Sequence, residues 1–325
     1  MSTRTRAYVD GRVAAEGFPM ADVSEWATRP GATVWLDMAD PTPEELSHLG
    51  DELDLHSLAV EDAVQERQRP KLDRYVGHLL FNAYSVSCKD GSGVLQANEV
   101  TAFLTKNILT TVHRGPEFDI DDVVARWDNS PDLAVHGLGF LFYGLIDHIV
   151  DSYFTALQNF DDIVDDLSDE IFELTGREAD AALRRTFDLR RSLLVARRVI
   201  TPMREVLNTL MRRDLQILDP ELMPYYQDVY DHSLRAAEWT DNLRDLITTI
   251  RETHLALQGN RMNLIMKKVT SWAAIIAVPT AVTGFYGQNV PYPGYGGHDG
   301  FWASTALMII ISVLLYLSFR RRDWL

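Results

Sequence analysis

Two long apolar runs lie at the C-terminal end of the chain. Residues 269–286 contain no Asp, Glu, Lys or Arg over 18 positions, and residues 301–319 contain none over 19. A helix rises about 1.5 Å per residue, so 18 residues cover about 27 Å, close to the hydrocarbon thickness of a bilayer. The pattern therefore predicts transmembrane helix 1 over 269–286, an outer loop over 287–300 and transmembrane helix 2 over 301–319.

Basic residues flank this hairpin. Lys267 and Lys268 precede its first run, and Arg320, Arg321 and Arg322 follow its second. Because Lys and Arg favour the cytoplasmic side, we expect both ends of the hairpin there, with residues 320–325 as a basic cytoplasmic tail. The first residues lead into no apolar stretch of the secretory type, so insertion is expected to use the C-terminal runs. The sequence predicts a multi-pass protein of the inner or plasma membrane, in contact with lipid, with both termini cytoplasmic.

Residues 1–135 are expected to form an α+β cytoplasmic domain. Runs rich in β-branched and aromatic residues predict strands at 33–37, 78–87, 99–105 and 107–112. Thr42, Pro43 and Glu45 supply a capping hydroxyl, a Pro at the first helical position and a Glu at the third. A helix over 43–53 is therefore predicted.

The pattern changes to long helices after this domain. Residues 136–224 are expected to form a cytoplasmic long-helix hairpin, whose second helix runs over about 179–218 and bends at Thr201–Pro202. The end of the first helix is acidic and the second helix is rich in Arg, which favours antiparallel packing. The acidic run is either a cation-attracting surface or a solvated face beside a basic neighbour.

A stalk helix is predicted over 225–268, and it continues directly into the first membrane segment. A helix of about 60 residues, roughly 90 Å, cannot be stabilised by one small domain and must pack against copies of itself or other long helices. One face of it, followed at steps of 3 and 4, carries small or weakly polar residues: Asn263, Met266, Thr270, Ala273, Ala277, Thr280 and Gly284. Such a face lines the axis of a parallel helical assembly, or packs tightly on a neighbouring helix.

Composition narrows the function. With 47 acidic and 31 basic residues the formal charge is −16, so nucleic acid is not expected as a partner. The negative field either concentrates cations or only keeps the cytoplasmic part soluble. The single cysteine, Cys88, cannot form an internal disulfide. The chain contains no P-loop, Gly-x-Ser-x-Gly or His-Glu-x-x-His motif, so an enzyme is not predicted.

An uncharged polar face suits a hydrated divalent ion. Mg²⁺ dehydrates reluctantly, so a conduit of hydroxyl and amide oxygens can hold the ion through its water shell. Asn289, at the outer end of the first membrane helix, could supply a ring of carbonyl groups in an oligomer. The membrane potential would drive the ion inward, because a divalent charge gains about 4.6 kcal/mol across 100 mV.

These residues resemble the CorA-type magnesium and cobalt channels of the metal ion transporter superfamily. The likeness covers nearly the whole chain: Gln68-Arg-Pro-Lys-Leu, Leu145-Ile-Asp-His-Ile-Val-Asp-Ser-Tyr-Phe, Pro202-Met-Arg-Glu-Val-Leu, Asp228-Val-Tyr-Asp-His, the hairpin and Arg320-Arg-Arg-Asp-Trp-Leu. The resemblance implies a funnel-shaped homopentamer whose first membrane helices line the pore. The family's Gly-Met-Asn selectivity motif reads Gly287-Gln288-Asn289 here.

The resemblance also implies regulation by cytoplasmic metal, with Mg²⁺ as both the transported and the regulatory ion. Glu252, eleven residues before Asn263 and on the same helix face, matches the acidic stalk position of the family's metal sensor. The matching position on the α+β domain falls on Lys89, which leaves Asp90 as the possible partner. Asp228 and His232, four residues apart, are a second possible metal pair, or His232 is a structural hydrogen-bonding residue.

The sequence thus predicts a homopentameric channel for hydrated divalent cations, most consistent with Mg²⁺ and tolerant of Co²⁺ or Ni²⁺. A zinc transporter, with or without proton coupling, is the alternative within transport, because relatives with another middle residue in the motif include zinc transporters. From another class, the chain could be a membrane-anchored metal sensor or scaffold that does not conduct.

Overall fold

A computed structural model describes residues 2–65, 68–88, 93–115, 118–170, 177–212, 219–288, 291 and 294–325. The chain divides into two compact units, Met1–Ile250 and Arg251–Leu325. The first unit contains a mixed sheet with helices on its faces. The second contains the apolar part of one long helix and a further apolar helix. The predicted α+β domain, long helix and C-terminal apolar helix are confirmed.

Seven strands form one sheet in the first unit. They are β1 (Ser2–Val9), β2 (Arg12–Glu16), β3 (Ala32–Ala39), β4 (Lys71–Arg74), β5 (Leu79–Cys88), β6 (Leu95–Leu104) and β7 (Ile108–His113). Their order is β2-β1-β3-β7-β6-β5-β4, with β3 and β7 parallel and all other neighbours antiparallel. The parallel pair therefore lies near the middle of the sheet, where both faces are covered.

Short helices precede and follow the strands. They are α1 (Val23–Ala27), α2 (Pro43–Glu52), α3 (Ser57–Val64), α4 (Ile120–Asp128) and α5 (Pro131–Ala134). The longer helices come after them: α6 (Leu138–Glu170), α7 (Arg177–Ile200), α8 (Met203–Leu210), α9 (Met223–Tyr286) and α10 (His298–Arg321). Single 3₁₀ turns lie at Met20–Asp22 and Pro220–Leu222.

Side chains that alternate along the strands build apolar clusters on both faces of the sheet; the smallest of them contains Ala7, Val23, Val34 and Ile108. Phe81 belongs to the largest apolar cluster, which also contains apolar residues of α4, α6, α7, α8 and the first half of α9. Leu80, its neighbour on the opposite face, packs with residues of α2 and α3. In the largest apolar cluster the indole of Trp127 donates to the carbonyl of Leu141. A Cβ added to Gly144 would lie 2.5 Å from Nε1 of Trp127, so the indole packs directly against this glycine. The sheet is thus the middle of three layers.

Strand β1 was not predicted, nor were its neighbour β2 and the edge strand β4. Arg4 and Arg6 interrupt the apolar pattern of β1, which hides the strand from an analysis of hydrophobic spacing. The structure accommodates Arg6 through ion pairs with Glu16 on β2 and with Asp128 at the end of α4. Long-range charge pairing of this kind leaves no local signal.

The helix predicted over 179–218 is two helices. Helix α7 ends at Ile200 and α8 begins at Met203, so Pro202 separates them rather than bending one helix. Residues 213–218 lie outside the described residues. The acidic end of α6 is largely exposed, and Arg185 of α7 lies 3.7 Å from Glu170. This arrangement agrees with a solvated face beside a basic neighbour.

A buried polar network joins the two parallel strands. Thr111 accepts a hydrogen bond from the Trp35 indole and donates to Asp37 at 2.5 Å, while His113 Nε2 lies 3.2 Å from the same carboxyl group. The Asp37 side chain is almost fully buried, so these contacts replace its lost hydration. The network ties the carboxyl ends of β3 and β7 together in the centre of the sheet.

The capping box predicted at the start of α2 is confirmed. The Thr42 hydroxyl accepts from the Glu45 amide, and the Glu45 carboxylate accepts from the Thr42 amide at 2.8 Å. We expect Thr42→Ala to cost about 1 kcal/mol of helix stability. Hydrogen exchange should then show amides in the first turn of α2 exchanging about fivefold faster. Ser47→Ala, at an exposed position inside the same helix, is the control and should not accelerate exchange; equal behaviour of the two variants would contradict the capping role.

Candidate functional site

Helix α9 carries the predicted pore-lining residues. It is a single helix of 64 residues, about 96 Å long, and extends into the first apolar run. With α10 it is one of two helices in the described part of the chain that are long and apolar enough to cross a membrane. The candidate site is the half of α9 that belongs to the second unit.

One face of this half is covered by the rest of the unit. Ser271 is fully buried, and Ile275, Val278 and Val282 are half-buried. These four residues recur at steps of 3 and 4, which places them on one side of a helix with 3.6 residues per turn. At this periodicity, the predicted stripe lies on roughly the opposite side of α9.

The stripe itself is exposed in the isolated chain. All seven of its members, namely Asn263, Met266, Thr270, Ala273, Ala277, Thr280 and Gly284, are exposed. A Cβ added to Gly284 would meet no atom within 4 Å. The chain by itself therefore leaves an uncharged face of small and weakly polar groups available, in a segment whose other exposed positions are mainly large and apolar, such as Trp272 and Ile276.

Backbone hydrogen bonds satisfy the hydroxyl protons of two threonines near the C-terminal end of α9. Thr280 donates to the Ile276 carbonyl at 3.2 Å, and Thr283 donates to the Pro279 carbonyl at 2.8 Å. A hydroxyl that donates in this way keeps its lone pairs available. On the stripe, Thr280 can therefore present acceptor oxygen without leaving an unsatisfied donor in an apolar segment.

Pro279 lies inside α9. Proline has no amide proton, so the Ile275 carbonyl lacks the helical partner it would have with any other residue at position 279. Because proline is apolar, the hydropathy pattern of residues 269–286 gives no sign of this missing hydrogen bond. Pro279 leaves one backbone carbonyl without its helical hydrogen bond, at a residue of the covered face rather than of the stripe.

The predicted selectivity motif begins where α9 ends. The Gly287 amide donates to the Thr283 carbonyl at 2.9 Å, and Gly287 and Gln288 are both exposed. A Cβ on Gly287 would lie 3.0 Å from that same carbonyl oxygen, so glycine fits the tight end of the helix. Asn289, the third member of the motif, lies outside the described residues.

The predicted regulatory residues are not assembled into a metal site in the described part of the chain. Glu252 is exposed on α9, and Asp90 lies outside the described residues. His232 Nε2 and Asp228 Oδ1 are 3.8 Å apart, and the His232 ring packs edge-on against Phe154. The described residues contain no group of three or more His, Cys, Asp or Glu side chains that could hold a metal ion.

A cluster that sequence reasoning missed lies close to this pair. Arg126 of α4 bridges Asp147 and Asp151 of α6 through its two terminal nitrogens. Burial raises the pKa of Asp147, as does the nearby Asp151, while Arg126 opposes them. Burial also raises the pKa of Tyr143 to about 12. Only the spacing of Asp147 and Asp151 on one helix face was visible in the sequence, because Arg126 comes from a distant helix.

An open cavity of about 1110 Å³ adjoins the cluster. Its lining includes Arg126, Asp151, His148, His232 and Arg235. Burial lowers the pKa of His148, and Arg126 acts in the same direction. Acidic and basic groups both line this cavity, so it presents no single sign of charge to a ligand. It is a less defined candidate site than the stripe on α9.

Comparison with known proteins extends over nearly the whole chain. A family model described as "CorA-like Mg2+ transporter protein" matches residues 30–321. The cobalt/magnesium transport protein CorA of Thermotoga maritima is 30% identical over 283 residues, which cover 86% of this chain and 80% of that protein.

Solved structures show the same fold. The complete CorA magnesium transporter of Methanocaldococcus jannaschii matches with a TM-score of 0.78 at 23% identity, covering 99% of this chain and 98% of that chain. The cytoplasmic domain of ZntB from Vibrio parahaemolyticus matches less closely, with a TM-score of 0.60 at 9% identity over 80% of this chain and 100% of that one. Because the family match runs from the start of β3 to the end of α10, the chain belongs to the CorA-like Mg²⁺ transporter family.

Proposed function

We propose that the chain is the subunit of a homopentameric channel that carries hydrated divalent cations, Mg²⁺ above all and Co²⁺ or Ni²⁺ as tolerated ions, inward down the membrane potential. The observation that carries the proposal is the exposed, uncharged polar stripe from Asn263 to Gly284 on the face of α9 that its own chain leaves uncovered. Membership of a family of transporters, rather than of enzymes, supports this function.

The burial pattern supports an assembly around α9. A helix about 96 Å long gains little stability from propensity alone and requires packing along its length. In the half beyond Ile250 most residues are exposed, including Met262, Ile265 and Met266. Five copies arranged with their stripes inward would cover these helices and enclose a central path. We also propose that this pentamer is funnel-shaped, as the family resemblance implies.

The chemistry of the stripe supports passage of an ion with its water shell. Its members carry no formal charge, so they cannot hold a bare divalent ion as strongly as carboxylates would. Hydroxyl and amide groups instead form hydrogen bonds to the waters around Mg²⁺, which leaves that shell slowly. Weak contacts repeated along the path allow the ion both to enter and to leave.

Selection is assigned to Gly287, Gln288 and Asn289 at the outer mouth. Gly287 fits the close approach at the end of α9, and five copies of Asn289 would supply carbonyl oxygens to the hydrated ion. Gln288 adds an amide where the family motif has Met. Because that position is polar here, zinc transport is the alternative that requires a direct test.

Regulation is assigned to Glu252, with Asp90 of a neighbouring subunit as its partner. The exposure of Glu252 in the isolated chain is consistent with a ligand completed by another copy. A divalent ion held between subunits would keep the pore closed while cytoplasmic metal is abundant. Asp228 and His232 are less suitable, because their 3.8 Å contact includes no third ligand among the described residues.

Uptake by liposomes that contain the purified protein tests the proposed ion. We expect Mg²⁺ influx that follows the membrane potential and does not require a proton gradient, with weaker Zn²⁺ influx. Asn289→Ala should abolish the preference for Mg²⁺ and reduce influx. Zn²⁺ influx that needs a proton gradient would favour the zinc alternative, and absence of any flux in protein that forms pentamers would favour the non-conducting sensor.

The stripe predicts different effects for two threonines one turn apart. Thr280→Val removes a hydroxyl from the stripe in all five copies, whereas Thr283→Val removes one that lies off the stripe. We expect the first change to lower Mg²⁺ influx at least about tenfold, equivalent to about 1.4 kcal/mol at the barrier, and the second to leave it near the parent rate. Equal losses in both variants would contradict the assignment of the pore face.

Glu252→Lys tests the regulatory site. If a divalent ion between subunits holds the pore closed, a positive charge at position 252 should prevent its binding, and influx should persist at high internal Mg²⁺. Glu238→Lys, at an exposed position on the same helix, is the matched control and should close as the parent does. Normal closure of the Glu252→Lys protein would remove Glu252 from the mechanism.

A further inference from the structure

Positive charge is concentrated in the second unit. Residues 251–325 contain seven basic and three acidic residues, a formal charge of +4 in a chain whose total is −16. Five of the seven cations are the residues that border the apolar helices: Lys267, Lys268, Arg320, Arg321 and Arg322. The described structure contains no ion pair from any of these five, although acidic residues outnumber basic ones in the chain as a whole.

The end of α10 is an ordered cap. Asp323 adopts a left-handed conformation with φ of 54°, its amide donates to the Arg320 carbonyl, and the Trp324 amide donates to the Phe319 carbonyl at 3.0 Å. The rings of Phe319 and Trp324 stack with an interplanar angle of 4° and centroids 5.7 Å apart. These two hydrogen bonds, the left-handed residue and the apolar contact together form a Schellman motif. The cap fixes an indole beside three consecutive arginines.

The same indole lines a cavity against α9. This cavity, of about 570 Å³, is bounded by Trp324 and by one side of α9: Asn260, Asn263, Leu264, Met266, Lys267 and Thr270. Asn263, Met266 and Thr270 belong to the stripe, whereas the helical period of 3.6 residues turns Asn260, Leu264 and Lys267 away from the stripe and toward the covered face of α9. The Lys267 side of the cavity is therefore separate from the proposed pore face. The contact places the end of α10 level with Lys267. The cavity wall combines apolar surface from Leu264 and Trp324 with one ammonium group and amide side chains.

We propose that the Arg320–Trp324 cap and Lys267 form a binding site for the phosphate-bearing headgroup of an anionic phospholipid. Charge complementarity supports this occupant: the guanidinium groups form no ion pair with any described residue, lie at the end of a membrane helix, and are suited to bidentate contacts with phosphate oxygens. Tryptophan favours the same level of the bilayer, where the ring is apolar and its N–H meets water. The acyl chains would extend along the exposed apolar surface of α10.

The proposal rests on the membrane hairpin of the proposed function but not on conduction. Its test is therefore a lipid-binding measurement rather than a flux measurement. The purified full-length protein is exchanged into detergent containing equal amounts of phosphatidylglycerol and phosphatidylcholine, and retained lipid is counted by native mass spectrometry. We expect the parent to retain phosphatidylglycerol preferentially. Lipid selectivity without ion flux would leave this inference standing while the proposed function fails.

Charge variants identify the residues. Changing Arg320, Arg321 and Arg322 together to Gln should lower the preference for phosphatidylglycerol at least about tenfold, because each basic residue near an anionic surface contributes to binding. The matched control changes Arg184, Arg190 and Arg191, three exposed arginines of α7, to Gln and should leave the preference unchanged. A retained preference in the first variant, or an equal loss in the second, would overturn the proposal.

Cap variants separate the geometry from the charge. Asp323→Gly and Asp323→Val remove the same negative charge, but only glycine adopts the left-handed conformation without strain. The glycine variant should retain phosphatidylglycerol at least as well as the parent, and the valine variant should retain severalfold less than the glycine variant. Equal retention would show that the cap has no role. Inorganic phosphate added at the lipid concentration should not displace the lipid; full displacement would identify a free-anion site and overturn the lipid assignment.

Discussion

The exposed side of α9 is the constraint that the membrane part of this molecule must satisfy. Helix α9 is covered on one side by its own chain, through Ser271, Ile275, Val278 and Val282, and exposed on the other. In a bilayer, lipid can cover the large apolar residues of the exposed side, whereas the stripe around Thr270 and Thr280 offers lipid only small and weakly polar groups. Such a face suits contact with another protein surface or with water. The proposed assembly provides water, and with it a path for an ion that retains its hydration shell.

The first unit holds the N-terminal half of α9 in its core. Its sheet is clamped in the centre by the buried contacts among Trp35, Asp37, Thr111 and His113, and the first half of α9 contributes Tyr226, Val229 and Ala236 to the largest apolar cluster. The long helix is therefore anchored in a domain core at its N-terminal end.

Sequence reasoning was most successful where a signal is local. The capping box at Thr42, the apolar runs and the spacing of the stripe each depend on residues within a few turns of one another, and the described structure contains the corresponding helices. It failed for β1, whose Arg6 is neutralised by residues from β2 and α4, and for the Arg126 cluster, whose members come from α4 and α6. The spacing of residues within one segment does not indicate which distant segment those residues pair with. The functions of Glu252 and Asn289 remain predictions for a related reason, since each depends on other copies of the chain.

Pro279 has a mechanical consequence for the membrane segment. Bending an ordinary helix stretches the carbonyl-to-amide bonds on its outer side, but at Ile275 that bond does not exist. Curvature between Ile275 and Pro279 consequently stretches one hydrogen bond fewer than an equal curvature elsewhere in the apolar half of α9. Pro279, which lacks the donor for this bond, precedes Thr283 by about one turn and Gly287 by about two turns. The two turns of α9 after Pro279 can thus tilt relative to the part before Ile275 at the cost of one hydrogen bond fewer than at other levels.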